Sequence, residues 1–131
     1  MNSAQRGAWG EGCAVAALQR CGARVVARNW RWRRYELDVV AVEGGVTVFA
    51  EVKVRTAESA ESGWASIDAR KQHRLMCAGE AFLRRHREVP AEARFDLVLI
   101  TGHPREFVLQ RVCDVLGPVP TALSPAIFTP Q

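Results

Sequence analysis

The sequence predicts a mixed α/β fold: one domain over residues 1–117, followed by a proline-rich tail over 118–131. Three observations carry this. Two β-branched runs, 35–43 and 46–54, are joined by Gly44-Gly45, a strong hairpin signal. An amphipathic stretch, 65–87, has helical spacing and stands between that hairpin and a further apolar run, 94–101. A second helical pattern, 8–21, opens the chain. The order is helix, three strands, helix, strand. The first three strands form an antiparallel meander, and the strand–helix–strand step needs a right-handed crossover into a parallel pairing. The result is a mixed central sheet flanked by helices.

Taken in order, the first helix has a weak beginning, because two glycines fall near its start, and Gly22 is its natural stop. Residues 24–30 read as a short strand. Arg31-Trp32-Arg33-Arg34 reads as a basic connector. Residues 55–64 are small and polar and read as a loop. The helix over 65–87 ends before Pro90. After the strand at 94–101, Gly102-His103-Pro104 reads as a turn. Residues 106–112 read as an edge strand or an irregular segment. Prolines 118, 120, 125 and 130 exclude regular structure from the tail.

Composition excludes several classes. With 131 residues, 48% hydrophobic and 24% charged, the chain is globular rather than disordered or collagen-like. No apolar run approaches the roughly 18 residues of a membrane span. The polar start lacks an apolar core, so no signal peptide is expected and the cytoplasm is the expected compartment. Cys13, Cys21, Cys77 and Cys113 have no zinc-ligand spacing and read as free thiols. The net charge of +4 is compatible with a nucleic-acid partner without identifying one. Sixteen of the eighteen basic residues are Arg, which singles out Lys53 and Lys71.

The hairpin has a chemical consequence. If Gly44-Gly45 is a two-residue turn, Glu43 faces Val46, and the register carries back to Asp38 facing Glu51 and Glu36 facing Lys53. With a period of two, these four share one face at the open end. The other face holds Leu37, Val39, Ala41, Val46, Val48, Ala50, Val52 and Val54. Nearer the turn the first face is apolar too, with Val40, Val42 and Phe49. The hairpin is therefore buried on both sides except at one polar cluster. Carboxylates on facing residues, with Cβ atoms about 4.5–5.5 Å apart, either share a proton or hold a cation between them. A hard divalent cation suits oxygen ligands, and Lys53 is a further neutralising group. The alternative is an ion-pair cluster that only sets strand register.

Both helices aim charge at the same place. Glu11 aligns with Ala14, Val15 and Leu18 on an apolar stripe, and Lys71 aligns with Ile67, Leu75, Ala78 and Phe82. Charged groups on buried faces need partners. Glu11 is otherwise a first-turn acid favoured by the helix dipole, and Lys71 otherwise snorkels from the core edge. Asp96 is expected to bond backbone or a neighbouring Arg.

Glu36-Leu37-Asp38, followed after the glycine turn by Glu51-Val52-Lys53, resembles the D-x(n)-E-x-K signature of the PD-(D/E)XK nuclease superfamily. More closely, the chain resembles the bacterial YraN-type proteins of uncharacterised function. The matching pieces are Arg6-Gly7, Gly10-Glu11, Arg28-Asn29-Trp30-Arg31, Glu36-Leu37-Asp38, Val48 to Lys53 with Arg55, then Gly63, Lys71 and Arg94-Phe95-Asp96. The resemblance covers roughly residues 6–115. The resemblance implies a restriction-endonuclease-like αβββαβ core and metal-dependent phosphodiester chemistry. Asp38 and Glu51 would then hold Mg²⁺ or Mn²⁺, completed by Glu11 directly or through water. Lys53 would orient the attacking water or stabilise transition-state charge. Lys71, Arg55, Arg31, Arg33 and Arg34 would contact phosphates. Trp30, Trp32 or Tyr35 would stack on unpaired bases. One residue departs from the family: Tyr35 stands where Gly is usual, and either crowds the approach or stacks a base.

Three function classes follow: a metal-dependent nuclease acting on nucleic acid, with DNA favoured; a nucleic-acid-binding module with little or no catalysis; and a protein-interaction scaffold. Two facing carboxylates favour the first, since without a cation they would repel phosphate. Many proteins of the superfamily dimerise to cut two strands, which leaves a homodimer open.

Overall fold

The structure, a computed structural model, describes residues 1–56 and 67–116. Most of the expected loop, Gly63, the first two residues of the expected second helix and the tail 118–131 lie outside the described residues.

Helix α1 spans Ser3–Arg20, five residues earlier than its glycines suggested. The cause is a capping box. Asn2 accepts from the Gln5 amide at 2.8 Å, and Gln5 Oε1 accepts from the Asn2 amide at 2.9 Å. One glycine also has a packing reason: a Cβ on Gly10 would collide with Val54 Cγ2 and come within 3.6 Å of Ile100 Cδ1. Gly10 thus lets the helix lie close on the sheet.

Strand β1 spans Arg24–Trp32, β2 Tyr35–Glu43 and β3 Val46–Arg55. The expected connector is shorter than it looked. Arg31 pairs with Glu36 and Trp32 with Tyr35, leaving only Arg33-Arg34 as the turn. In the next turn Gly44 and Gly45 take φ of 57° and 79°, the left-handed values that a tight hairpin requires at both positions. Helix α2 spans Ala69–Arg85, opened by Asp68, whose carboxylate accepts from the Lys71 amide at 2.8 Å. Strand β4 runs Ala93–His103, so Gly102 and His103 belong to it and the turn is at Pro104-Arg105. Strand β5, Glu106–Val112, resolves the ambiguous segment as an edge strand.

The sheet order is β1-β2-β3-β4-β5. All neighbours are antiparallel except β3 and β4, which are parallel, as the intervening helix demands. Successive residues alternate between two cores. Val40, Phe49, Phe95 and Leu97 pack with Leu75, Ala78 and Phe82 of α2. Val39, Ala41, Ala50, Val98 and Ile100 pack with Ala14 and Leu18 of α1. One helix therefore covers each face, in the αβββαβ order. No helix among the described residues is long and apolar enough to cross a membrane.

Leu37 departs from the expected alternation. It packs in the α2 core with Val40, not with Val39 and Ala41. The strand changes phase at Asp38, where the regular hairpin also ends.

Candidate functional site

The β2–β3 ladder follows the expected register from Glu43–Val46 to Val39–Ala50 and stops there. One step further, Asp38 replaces a ladder acceptor with its side chain: the Val52 amide donates to Asp38 Oδ2 at 2.8 Å. On the other flank Asn29, between the Arg28–Val39 and Trp30–Leu37 pairs, adopts φ of 47°. Asn tolerates that region better than most residues. The sheet thus opens at Asp38 and frees its carboxylate from a plain strand position.

Asp38 and Glu51 meet, side chain to side chain, as a hydrogen-bonded carboxyl pair. Burial raises the Asp38 pKa, opposed by the Val52 amide and the charge of Lys71. Glu51 is pushed up to about 7, first by burial and then by the Asp38 charge, with Lys71 opposing. Lys71 Nζ lies 3.3 Å from Glu51 Oε1. Desolvation and mutual repulsion favour one proton between the two acids, and the Lys71 ammonium opposes this.

Glu11 lies beside the pair. It is 7% exposed, accepts from Asn29 Nδ2 at 2.8 Å and has Arg28 Nε at 3.6 Å. Burial raises its pKa, the Asp38 charge adds to this, and Arg28 opposes. Glu11 therefore feels Asp38, but its carboxylate is committed to Asn29. Among the described residues no three His, Cys, Asp or Glu side chains come together closely enough to hold a metal ion. Lys53, Asp38, Glu11, Asn29 and Arg6 line one cleft of about 500 Å³. A roomier cleft of about 630 Å³, lined by Trp9, His103 and Phe107 among others, touches none of the acid pair.

The remaining expected site residues divide. Glu36, expected opposite Lys53, turns to solvent and pairs with Arg31 at 3.7 Å. Arg33 and Arg34 are exposed at the β1–β2 turn. Tyr35 is half-buried and stacks on Trp32, 6.2 Å between centroids at 17°. Trp30 instead packs edge-on against Phe82 at 5.2 Å, so it is core and not a base platform. Arg55, expected on phosphate, is buried at 9% exposure. Its side chain is held within the protein rather than offered at the surface.

Two residues of this site stood in the sequence only as part of the family's motif, with no role given to them. Asn29 and Arg28 orient Glu11 from β1, eighteen and seventeen positions away. The available signal was Asn29 itself, a residue depleted in strands lying within a strand-like run.

A five-stranded mixed sheet with one helix on each face, opened at one strand beside a half-buried pair of acids, defines an α/β protein of αβββαβ core with a polar site at the open end of its hairpin. The profile of "Uncharacterised protein family UPF0102" matches residues 10–100. The chain belongs to this family, in agreement with the YraN-type resemblance of its motifs. It is 44% identical over 104 residues to a UPF0102 protein of Halorhodospira halophila, covering 79% of this chain and 84% of that one. It is 39% identical over 108 residues to one of Nitratidesulfovibrio vulgaris (82% and 81% covered). It is 42% identical over 101 residues to one of Xanthomonas campestris (76% and 83% covered).

Proposed function

We propose that this protein is a metal-dependent nuclease, hydrolysing phosphodiester bonds of nucleic acid, with DNA as the favoured substrate. The observation that carries this reading is the Asp38–Glu51 pair: two half-buried carboxyls in contact, one of them raised to about 7. Such a pair costs stability as an isolated structural element. It is well suited to a hard divalent cation, whose charge replaces the shared proton. The donor chemistry fits Mg²⁺ or Mn²⁺, with Asp38 and Glu51 as the protein ligands and Glu11 completing the site directly or through water. Kinship with the restriction-endonuclease-like fold supports the reading by analogy only.

When bound, the cation supplies Lewis-acid polarisation of the phosphoryl group and a more acidic water. The chain supplies the rest. Lys53, lining the same cleft as Asp38, stabilises negative charge as it develops on the phosphoryl oxygens. Lys71 holds Glu51 in place and offers its half-exposed ammonium to the neighbouring phosphate. Arg31, Arg33 and Arg34 add salt-sensitive, sequence-independent attraction from the hairpin tip.

A second reading has its own support. Glu11 is tied to Asn29 and Arg28, and the acids do not gather into a group of three among the described residues. That favours a nucleic-acid-binding module with the same fold and little catalysis. One assay separates the two: cleavage of single-stranded, duplex and branched DNA and RNA in Mg²⁺ or Mn²⁺, with Glu51→Gln prepared identically. The nuclease reading expects cleavage by the native protein that falls at least about 100-fold in the variant and disappears with chelator. Salt-sensitive binding without cleavage on any substrate supports the module instead. Neither cleavage nor binding sinks both.

A further inference from the structure

A third cleft lies between the β1–β2 hairpin tip and the C-terminal half of α2. Its volume is about 420 Å³, and its walls are Trp32 and Tyr35 on one side and Cys77, Ala81, Arg84 and Arg85 on the other, with Glu80. That volume falls in the roughly 300–1,000 Å³ range of small-molecule clefts. The Trp32 and Tyr35 rings lie nearly parallel, and both are half-buried. Arg85 sits 4.1 Å above the Trp32 ring and Arg33 lies 4.5 Å from it. Two aromatic rings are propped parallel at a hairpin tip, ringed by guanidinium groups, over a floor of small side chains.

We infer that this cleft receives an unpaired nucleobase of the nucleic-acid chain whose backbone lies at the acid pair. The inference deepens, and rests on, the nucleic-acid reading above. The chemistry is complementary at each wall. An aromatic ring stacks any base regardless of sequence. Guanidinium groups stack on bases and also bind phosphate. The one acid in the wall, Glu80, is neutralised by Arg84 at 3.0 Å and does not repel a polyanion. Arg33, on an exposed turn residue, can leave the Trp32 ring for the backbone phosphate as the base arrives.

Position supports the same occupant. Three residues of strand separate Tyr35 from Asp38, a path of roughly 10 Å. Six residues of helix separate Lys71, which pairs with Glu51, from Cys77 in the cleft wall, about 9 Å. Both paths place the base cleft within a nucleotide or two of the acid pair along an extended strand. The sheet and α2 thus provide a phosphate site and a base site in series. A base paired within a duplex cannot enter such a cleft, so the substrate class is nucleic acid with unpaired nucleotides beside the phosphate being bound.

The test uses the full chain and a labelled blunt duplex, alone and extended by a five-nucleotide single-stranded overhang, the overhang made once of deoxynucleotides and once of ribonucleotides. The expected native result is an affinity for an overhang at least about ten-fold above that for the blunt duplex. Trp32→Ala is expected to bring this ratio close to one, and Trp32→Phe, which keeps a ring, to retain most of it. Thermal melting checks that both variants are folded. The DNA and RNA arms identify which backbone the cleft accompanies. A native ratio near one, or a ratio that survives Trp32→Ala, overturns the base cleft while leaving the nucleic-acid reading intact. Failure to bind either duplex removes both. The native ratio depends on no variant, so the inference is falsifiable even if Trp32→Ala does not fold.

Discussion

Glu51→Gln is expected to be more stable than the native protein at pH 8 and no more stable at pH 4.5. Glu51 has its ordinary value of 4.5 when unfolded and about 7 when folded. A carboxyl raised in this way favours the folded state while it is protonated. That contribution is complete below about pH 4.5 and is lost as pH rises through about 7. The loss at high pH is on the order of 3 kcal/mol. Gln imitates the protonated acid and cannot ionise. The folded value of about 7 already includes the opposing pull of half-exposed Lys71, so the gain at pH 8 is on the order of 3 kcal/mol, read as a higher urea midpoint with unchanged m-value. Asp38, raised in the same direction, and Glu11, raised by burial and by Asp38, deepen the native protein's loss at high pH. A substitution that stabilises the fold while abolishing the activity would mark Glu51 as retained for function rather than for architecture.

Asp96→Ala is expected to act in the opposite sense and to cost the most of any single substitution considered. Asp96 is fully buried and accepts from Arg94, Arg111 and the Asp114 amide. The same two arginines reach Glu43, with Arg111 Nη2 at 2.7 Å and Arg94 Nη2 at 2.8 Å from its Oε1. This network joins the β2–β3 turn to β4 and β5, tying the edge strand and the segment after it to the sheet. Burial alone would raise the Asp96 pKa, but the Asp114 amide and the two guanidinium groups outweigh it and hold the carboxyl below its usual 3.8. Removing it leaves two partly buried guanidinium groups sharing one carboxylate, at a cost of roughly 3–5 kcal/mol. That is a large fraction of the stability of a domain this size. The stabilisation from Asp96 is present above about pH 4 and is lost as pH falls through the lowered native value. Glu43, lowered chiefly by its hydrogen bond from Arg111, behaves alike. The two ends of the hairpin therefore oppose each other in pH: the Asp96 and Glu43 contributions are lost toward low pH, and the Glu51 contribution declines from about pH 4.5 until it is gone above about 7.

How far the sequence carried depended on whether a feature was local. The Gly44-Gly45 turn and the register from it are local, because two left-handed residues leave the strands one way to pair. That register predicts Asp38 facing Glu51; the ladder ends one pair short of them, and the two acids meet through their side chains instead. What lay beyond was long-range. The ladder ends after Val39–Ala50 because Asp38 takes the Val52 amide with its side chain, and that exchange also moves Leu37 to the other core and sends Glu36 to solvent. Glycine content hid the true start of α1, since the reason for Gly10 is contact with Val54, forty-four residues away. The hold of Asn29 on Glu11 bridges a helix and a strand with no periodic signature. Trp30 and Trp32 are indistinguishable by type, and only the packing of Phe82 against Trp30 assigns one to the core and leaves the other at the cleft.

If Asp38 and Glu51 together hold a divalent cation, titrating the protein with Mn²⁺ in a calorimeter gives saturable binding at pH 8 that weakens at least several-fold at pH 5.5, where protons compete for Glu51, and that is lost in both Asp38→Asn and Glu51→Gln. Equal binding by the native protein and the two variants, or none by any of them, would rule the cation site out.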